Sequence, residues 1–197
     1  MQSEAAAPGR PASVVVMGVS GAGKSTVGVL LADLLGRPFI DADDLHPPVN
    51  LANMSAGIAL TDEDRWPWLD EVGRQLAARP CVVACSALRR SYRDRLRRSC
   101  PGFGLVYLAG ERARISARQA GRQGHFMPSN LMTSQFSLLE PPESSEHALI
   151  LDVVSLPAEL AARAAQWCRD HGRNRTGTGT AERLTLRSCF VHVLYHS

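Results

Sequence analysis

Apolar positions along the chain recur with two spacings. Five short runs, Ser13–Met17, Phe39–Ile40, Pro80–Cys85, Phe103–Leu108 and Ala148–Val153, are apolar almost throughout. Their length and continuity fit strands covered on both faces, as parallel sheets require. Between them the spacing changes to that of a helix. Val27, Leu30, Leu31 and Leu34 fall at i, i+3, i+4 and i+7 and predict a helix from Lys24 to Leu35, closed by Gly36 and Pro38. Thr61 followed by Asp62, Glu63 and Asp64 predicts a helix start, and Leu69, Val72 and Leu76 carry the helix to about Ala78. Pro67 lies too deep for a straight helix, which predicts either one turn before a new helix beginning at Pro67 or a kink there. Further helices are expected over Arg89–Arg98, with Tyr92 and Leu96 in step, and over Glu111–Arg118. Another surrounds Leu131, Gln135 and Leu138–Leu139, and a last one opens at Ser155 and Pro157 and carries Leu160, Ala164 and Trp167. Leu45–Leu60, with Pro47, Pro48, Asn50, Asn53 and Gly57, reads as a loop with a short helix where a substrate cover would sit. The alternation predicts an α/β three-layer domain with a parallel five-stranded sheet.

The pattern also sets boundaries. Residues 1–12 read as a flexible lead, 13–172 as the folded domain, and 173–197 as an atypical, poorly ordered tail that follows the Gly/Thr-rich stretch after Gly172. The 197 residues suit one domain, and 45% apolar with 21% charged residues is a globular balance. A net charge of +3 neither demands nor excludes an anionic partner. Six arginines lie between Arg89 and Arg98, but the stretch lacks interleaved aromatics, so no nucleic-acid partner is expected. Five cysteines without a C-x-x-C pair, and no secretory leader in view, predict reduced thiols and a cytoplasmic protein. No apolar run approaches the ~20 residues of a membrane span, so no membrane partner is expected.

The chemistry centres on Gly18-Val19-Ser20-Gly21-Ala22-Gly23-Lys24-Ser25-Thr26, which reads G-x-x-x-x-G-K-S between a predicted strand and a predicted helix. In that context the backbone N–H groups cradle phosphate oxygens and the following helix aims its positive end at them. Lys24 would reach the β- and γ-phosphates of ATP, and Ser25 would ligate Mg²⁺. The acidic run Asp41-Ala42-Asp43-Asp44 ends the second predicted strand, where ligands sit in open α/β sheets. The third strand ends in Ser86 without the usual carboxylate, so Asp41 becomes the candidate to hold Mg²⁺ through water. In an extended chain Asp43 would share the side-chain direction of Asp41 and could accept a proton from a substrate hydroxyl. The plainer reading is a polar turn with Asp44 capping the next helix. Arg65 is a candidate for an anionic substrate group and equally a solvated arginine. Arg93 is the residue of the basic helix expected to face the phosphate crevice. Small residues flank Arg122 and His125, which fits a mobile lid bringing positive charge onto a transferring phosphoryl group; a turn histidine is the alternative at His125.

Beyond the phosphate loop, the chain resembles the gluconokinases, P-loop sugar-acid kinases related in design to shikimate kinase. The resemblance lies in GVSGAGKST (Gly18–Thr26), DADDLHP (Asp41–Pro47), GIALTDEDRWPWL (Gly57–Leu69), VACSALRRSYRDRL (Val83–Leu96), HFMP (His125–Pro128) and SQFSLLEPP (Ser134–Pro142), spanning most of Val14–Asp170. It implies a P-loop kinase fold with a lid and the ATP-dependent phosphorylation of D-gluconate to 6-phosphogluconate. It also implies that Gly18–Thr26 hold the ATP phosphates, that Asp41 helps position Mg²⁺, and that Asp43 orients or deprotonates the acceptor hydroxyl. Arg65, Ser86 and Arg93 would line the gluconate site, Arg122 and His125 would belong to the lid, and Arg118 would stack near the base. A homodimer is a family-level expectation. The segment Ser99–Gly104 and the tail depart from the family pattern. Three rivals remain. The first is a kinase for another hydroxy acid or a nucleotide, although no base-reading site for an acceptor nucleotide is evident. The second is a GTP-binding switch, for which Asp70-Glu71-Val72-Gly73 matches D-x-x-G inside a helical stretch without any N-K-x-D. The third is a catalytically impaired nucleotide binder.

Overall fold

The computed structural model describes residues 13–120 and 129–171, and their side chains except at 118–120 and 129–131. The lead, Arg122 and His125 of the expected lid, the side chain of Arg118 and the tail lie outside the described residues.

Five strands form one parallel sheet: β1 (Val14–Met17), β2 (Phe39–Asp41), β3 (Val82–Ala84), β4 (Gly104–Ala109) and β5 (Leu149–Asp152), in the order β2-β3-β1-β4-β5. Among the described residues, seven helices connect and cover them: α1 (Lys24–Leu35), α2 (Pro48–Ser55), α3 (Asp62–Ala78), α4 (Arg90–Ser99), α5 (Arg112–Ala120), α6 (Ser129–Leu138) and α7 (Pro157–His171). The central strand explains the layering. All four residues of β1 are buried, and their alternation sends Val14 and Val16 to one core and Val15 and Met17 to the other. The first core is closed by α1 and α7 through Val27, Leu31, Leu160 and Ala164. The second is closed by α3 and α4 through Leu69, Val72, Leu76, Tyr92 and Leu96. Helices on both faces of an all-parallel sheet are the three-layer α/β architecture expected from the alternation.

Three local expectations need correction. The chain does not start a new helix at Pro67: α3 runs as one element with Pro67 inside it, behind a capping box between Thr61 and Asp64. Proline removes the N–H that would bond the carbonyl of Glu63, but both residues are exposed in the opening turns, where water can serve that carbonyl. Asp44 caps no helix. The chain leaves β2 directly into a 3-10 turn, Ala42–Leu45, capped by Asp41, and α2 begins at Pro48 behind Pro47. The acidic run is therefore not extended, and Asp43 reaches its position through that turn.

Candidate active site

The phosphate loop links the C-terminal end of β1 to the first turn of α1. Its backbone needs glycine: Gly18, Gly21 and Gly23 adopt φ of 151°, 80° and 94°, and Gly23 is the N-cap of α1. A Cβ at Gly18 would stand 3.0 Å from the carbonyl oxygen of Leu108 and 3.2 Å from Cβ of Ala22, so the loop also packs too closely for a side chain there. Lys24 Nζ donates to the carbonyl of Val19 within the same loop (3.3 Å). The N–H of Ser20 donates to Gln135 Oε1 (2.6 Å), which ties the loop to α6. Sequence reasoning saw Gln135 only as a helix position; the motif stretch Ser134–Pro142 was the available signal.

Beside the loop, Ser25 Oγ donates to Asp41 Oδ2 (2.6 Å), and the other carboxylate oxygen of Asp41 accepts the N–H of Asp43 (3.1 Å). A hydroxyl and a carboxylate at the mouth of a phosphate-binding loop form a hard-oxygen set of the kind Mg²⁺ takes. β3 ends at Ala84 and the chain continues through Cys85 to Ser86 with no acid, which leaves Asp41 as the carboxylate next to Ser25.

Ser20, Lys24 and Asp43 line one open cleft together with His46, Arg65, Trp68, Ser86, Leu88, Tyr92, Ser134 and Gln135. The structure thus brings Lys24, Asp43, Arg65 and Ser86 to one place. Arg65 is held rather than freely solvated. Its guanidinium lies over the Tyr92 ring (5.7 Å to the centroid), donates to the Tyr92 hydroxyl (3.3 Å) and stands 3.7 Å from Asp62. Trp68 donates its indole N–H to the carbonyl of Ala42 (2.6 Å), so α3 fixes the turn that carries Asp43. His46 stacks on Trp68 at 4.2 Å between centroids. Burial, helped by the Arg65 charge, lowers His46 from 6.5 to about 4, so the imidazole is neutral near pH 7. His46, Trp68 and Tyr92 were not singled out from the sequence as cleft residues, although they lie in the DADDLHP, DEDRWPWL and SYRD stretches.

Arg93 does not face the crevice. It is fully buried, with Nε and Nη2 on the two oxygens of Glu146 (2.6 and 2.8 Å) and Nη1 within 3.0–3.1 Å of the carbonyls of Ala87, Leu88 and Glu140. With each guanidinium nitrogen so engaged, it has no donor turned toward a substrate. It instead holds the turn after Ser86, where Ala87 has φ of 44°, a left-handed conformation that is costly for a residue with a Cβ. The neighbouring arginines are also paired internally: Arg89 with Asp62, Arg90 with Asp94 and Glu143, Arg95 with Asp70 and Arg97 with Glu146.

Residues 20–141 match the family model described as "Shikimate kinase". A mouse protein named "Probable gluconokinase" is 45% identical over 175 residues, covering 77% of this chain and 95% of its own. The chain belongs to the gluconokinase family. The "Thermosensitive gluconokinase" of Escherichia coli strain K12 is 43% identical over 143 residues, covering 70% of this chain and 76% of its own. The crystal structure of a gluconokinase from Sinorhizobium meliloti 1021 superimposes with a TM-score of 0.78 at 48% identity, covering 83% of this chain and 95% of that one. The D-x-x-G match at Asp70–Gly73 is helical sequence inside α3, not the loop a nucleotide switch would need.

Proposed function

We propose that the chain transfers the γ-phosphoryl group of ATP to the terminal hydroxyl of D-gluconate, giving 6-phospho-D-gluconate and ADP. The observation that carries this reading is the shared cleft: the phosphate-loop residue Lys24, the carboxylate Asp43 and the guanidinium Arg65 line one space. Family membership names the acid. Phosphoryl transfer asks mainly for positioning and charge neutralisation. The loop N–H groups and Lys24 hold the donor phosphates. Asp43 accepts the proton of the acceptor hydroxyl as its oxygen bonds to the γ-phosphorus and the bond from that phosphorus to the β,γ-bridging oxygen breaks, releasing ADP. Arg65 pairs with the gluconate carboxylate, and Ser86 offers a hydroxyl to the polyol.

Ser25 and Asp41 are the residues that would hold Mg²⁺, which neutralises phosphate charge when bound. Arg122 and His125 are assigned to the lid, Arg118 to stacking near the adenine, and residues 13–172 to the kinase domain. The four described cysteines are free thiols, which fits the reducing cytoplasm as the place of reaction. The shikimate-kinase model match makes shikimate the second acceptor to test. ADP release measured with D-gluconate, shikimate and nucleoside monophosphates decides between them. Release that depends on gluconate supports the reading; turnover with shikimate or a nucleotide and none with gluconate overturns it.

A further inference from the structure

His46 lines the cleft, and its ring is fixed from two sides. It stacks on Trp68 with centroids 4.2 Å apart and planes 12° apart, and the Trp68 indole is itself tied to the carbonyl of Ala42. Asn50 holds one edge of the ring. Its Nδ2 donates to the carbonyl of Asp64 (2.8 Å) and stands 3.4 Å from His46 Nδ1. A carbonyl oxygen only accepts, so the Asp64 contact identifies the Asn50 atom as the amide nitrogen and leaves its second N–H for the ring. Nδ1 of His46 is then the acceptor. A neutral imidazole has one acceptor and one donor, which puts the proton on Nε2. Burial, helped by the Arg65 charge, keeps the ring neutral near pH 7. Nε2 makes no hydrogen bond among the described residues. Asn50 is buried and does not line the cleft, whereas His46 does, so the unused N–H belongs to the cleft side of the ring. His46 also lies between the two ends assigned to the acceptor. Its backbone N–H donates to the carbonyl of Asp43 (3.3 Å), and its ring lies within the field of Arg65.

We propose that His46 is a specificity-determining residue whose Nε2–H donates to a hydroxyl of the acceptor's polyol chain. This rests on the gluconate reading and deepens it. A neutral imidazole offers a directed N–H and no charge, which suits a neutral hydroxyl oxygen, while Arg65 and Lys24 supply the charges for carboxylate and phosphate. Stacking on Trp68 and the Asn50 contact hold the donor in place before the acceptor arrives. An acid lacking that hydroxyl leaves a buried N–H unpaired, a loss worth about ten-fold in kcat/KM.

The test compares D-gluconate with its monodeoxy analogues at C2, C3, C4 and C5, all of which keep the terminal hydroxyl that is phosphorylated. In the unaltered protein, one of these analogues should lose about ten-fold in kcat/KM through the missing contact. His46→Phe keeps a ring to stack on Trp68 but removes the donor. It should raise the KM of gluconate about ten-fold with kcat within about two-fold, because Asp43 is untouched. For that same analogue the penalty should shrink to about two-fold or less, since its partner is gone, an outcome that general structural damage would not produce. His46→Gln carries an amide N–H and should restore the penalty. Unchanged penalties for all four analogues in His46→Phe, or a fall in kcat at unchanged KM, overturn the proposal. If the variants fail to fold, the ¹⁵N spectrum of the imidazole in the unaltered protein still decides. A protonated Nε2 whose signal moves with gluconate, and not with one of the analogues, supports the proposal. A proton on Nδ1, or an Nε2 signal that gluconate leaves unmoved, overturns it. Gluconate-dependent ADP release by the unaltered protein separates the two failures. Its absence overturns the functional reading and this inference with it, whereas its presence with unchanged penalties overturns this inference alone.

Discussion

The Arg93 guanidinium and the Glu146 carboxylate meet two-on-two inside the protein, at 2.6 and 2.8 Å, with both side chains almost fully buried. They are 53 residues apart in sequence. Through the third guanidinium nitrogen, the pair fixes the Ala87–Leu88 turn to Glu140, and Glu140 donates its N–H back to the carbonyl of Leu88 (2.9 Å). One buried ion pair thus joins the turn after Ser86 to the segment that follows α6.

Breaking this pair should cost stability first. Arg93→Met leaves a buried carboxylate with only Arg97 as its cationic partner within 3 Å, and loss of one member of such a pair costs about 3–5 kcal/mol. Urea denaturation measures it. A change below about 1 kcal/mol would show that the pair is not the strut described.

Acid should loosen the same strut. Burial pushes the Glu146 carboxyl up, but the hydrogen bonds and charge of Arg93, the N–H of Glu143 and Arg97 outweigh it and bring the group to about 2. A carboxyl depressed in the folded state contributes stability that is complete above its unfolded value near 4.5 and is lost as pH falls toward 2. His46 acts in a higher window. Its folded value of about 4 lies below the unfolded 6.5, so stability is complete above about pH 6.5 and declines as pH falls toward 4. Thermal melts of His46→Gln should lose the slope between pH 6.5 and 4 and keep the slope below 4.5. A variant with the slope of the unaltered protein throughout would show that His46 is not the group responsible.

Much of this site was legible because its signals are local. The phosphate loop, helix α1 and the nearness of Ser25 to Asp41 each follow from short spacings and from the rule that ligands gather at strand ends, although Leu34 of the α1 stripe is exposed and not in the core. Arg93 was misread for the opposite reason. Six arginines in ten residues show charge, but not that five of them meet an acid from α3, from their own helix or from the segment before β5. At Pro67 the sequence left a new helix or a kinked one open, because propensity counts the lost hydrogen bond without showing that Glu63 and Pro67 are exposed; the single element α3 removes the first alternative. Asp43 was found with the wrong geometry, since the sequence does not reveal that Asp41 turns back to cap a 3-10 turn.

Close packing predicts an effect where propensity points the other way. Gly28 lies inside α1, where alanine is normally favoured by about 1 kcal/mol. A Cβ there would meet Cε2 of Phe39 at 2.6 Å, so Gly28→Ala should destabilise the protein by about 1–3 kcal/mol. A melting temperature at or above that of the unaltered protein would mean that Phe39 moves aside freely.

The Ser25–Asp41 pair predicts a metal phenotype separate from nucleotide affinity. Asp41→Asn weakens a hard-oxygen set but keeps the cap acceptor for Asp43. The Mg²⁺ concentration giving half-maximal activity should rise about ten-fold, an order of magnitude consistent with loss of one charged ligand. Activity with an unchanged Mg²⁺ requirement would move the metal away from Asp41.

The most direct test is gluconate-dependent ADP release by Asp43→Ala, with ATP binding followed in parallel by calorimetry. Loss of a general base that the transition state needs predicts a fall in kcat of about 10²–10⁴-fold, while ATP binding stays within about two-fold because the loop, Lys24 and the Ser25–Asp41 pair are untouched. Near-normal kcat on gluconate in Asp43→Ala would contradict the account.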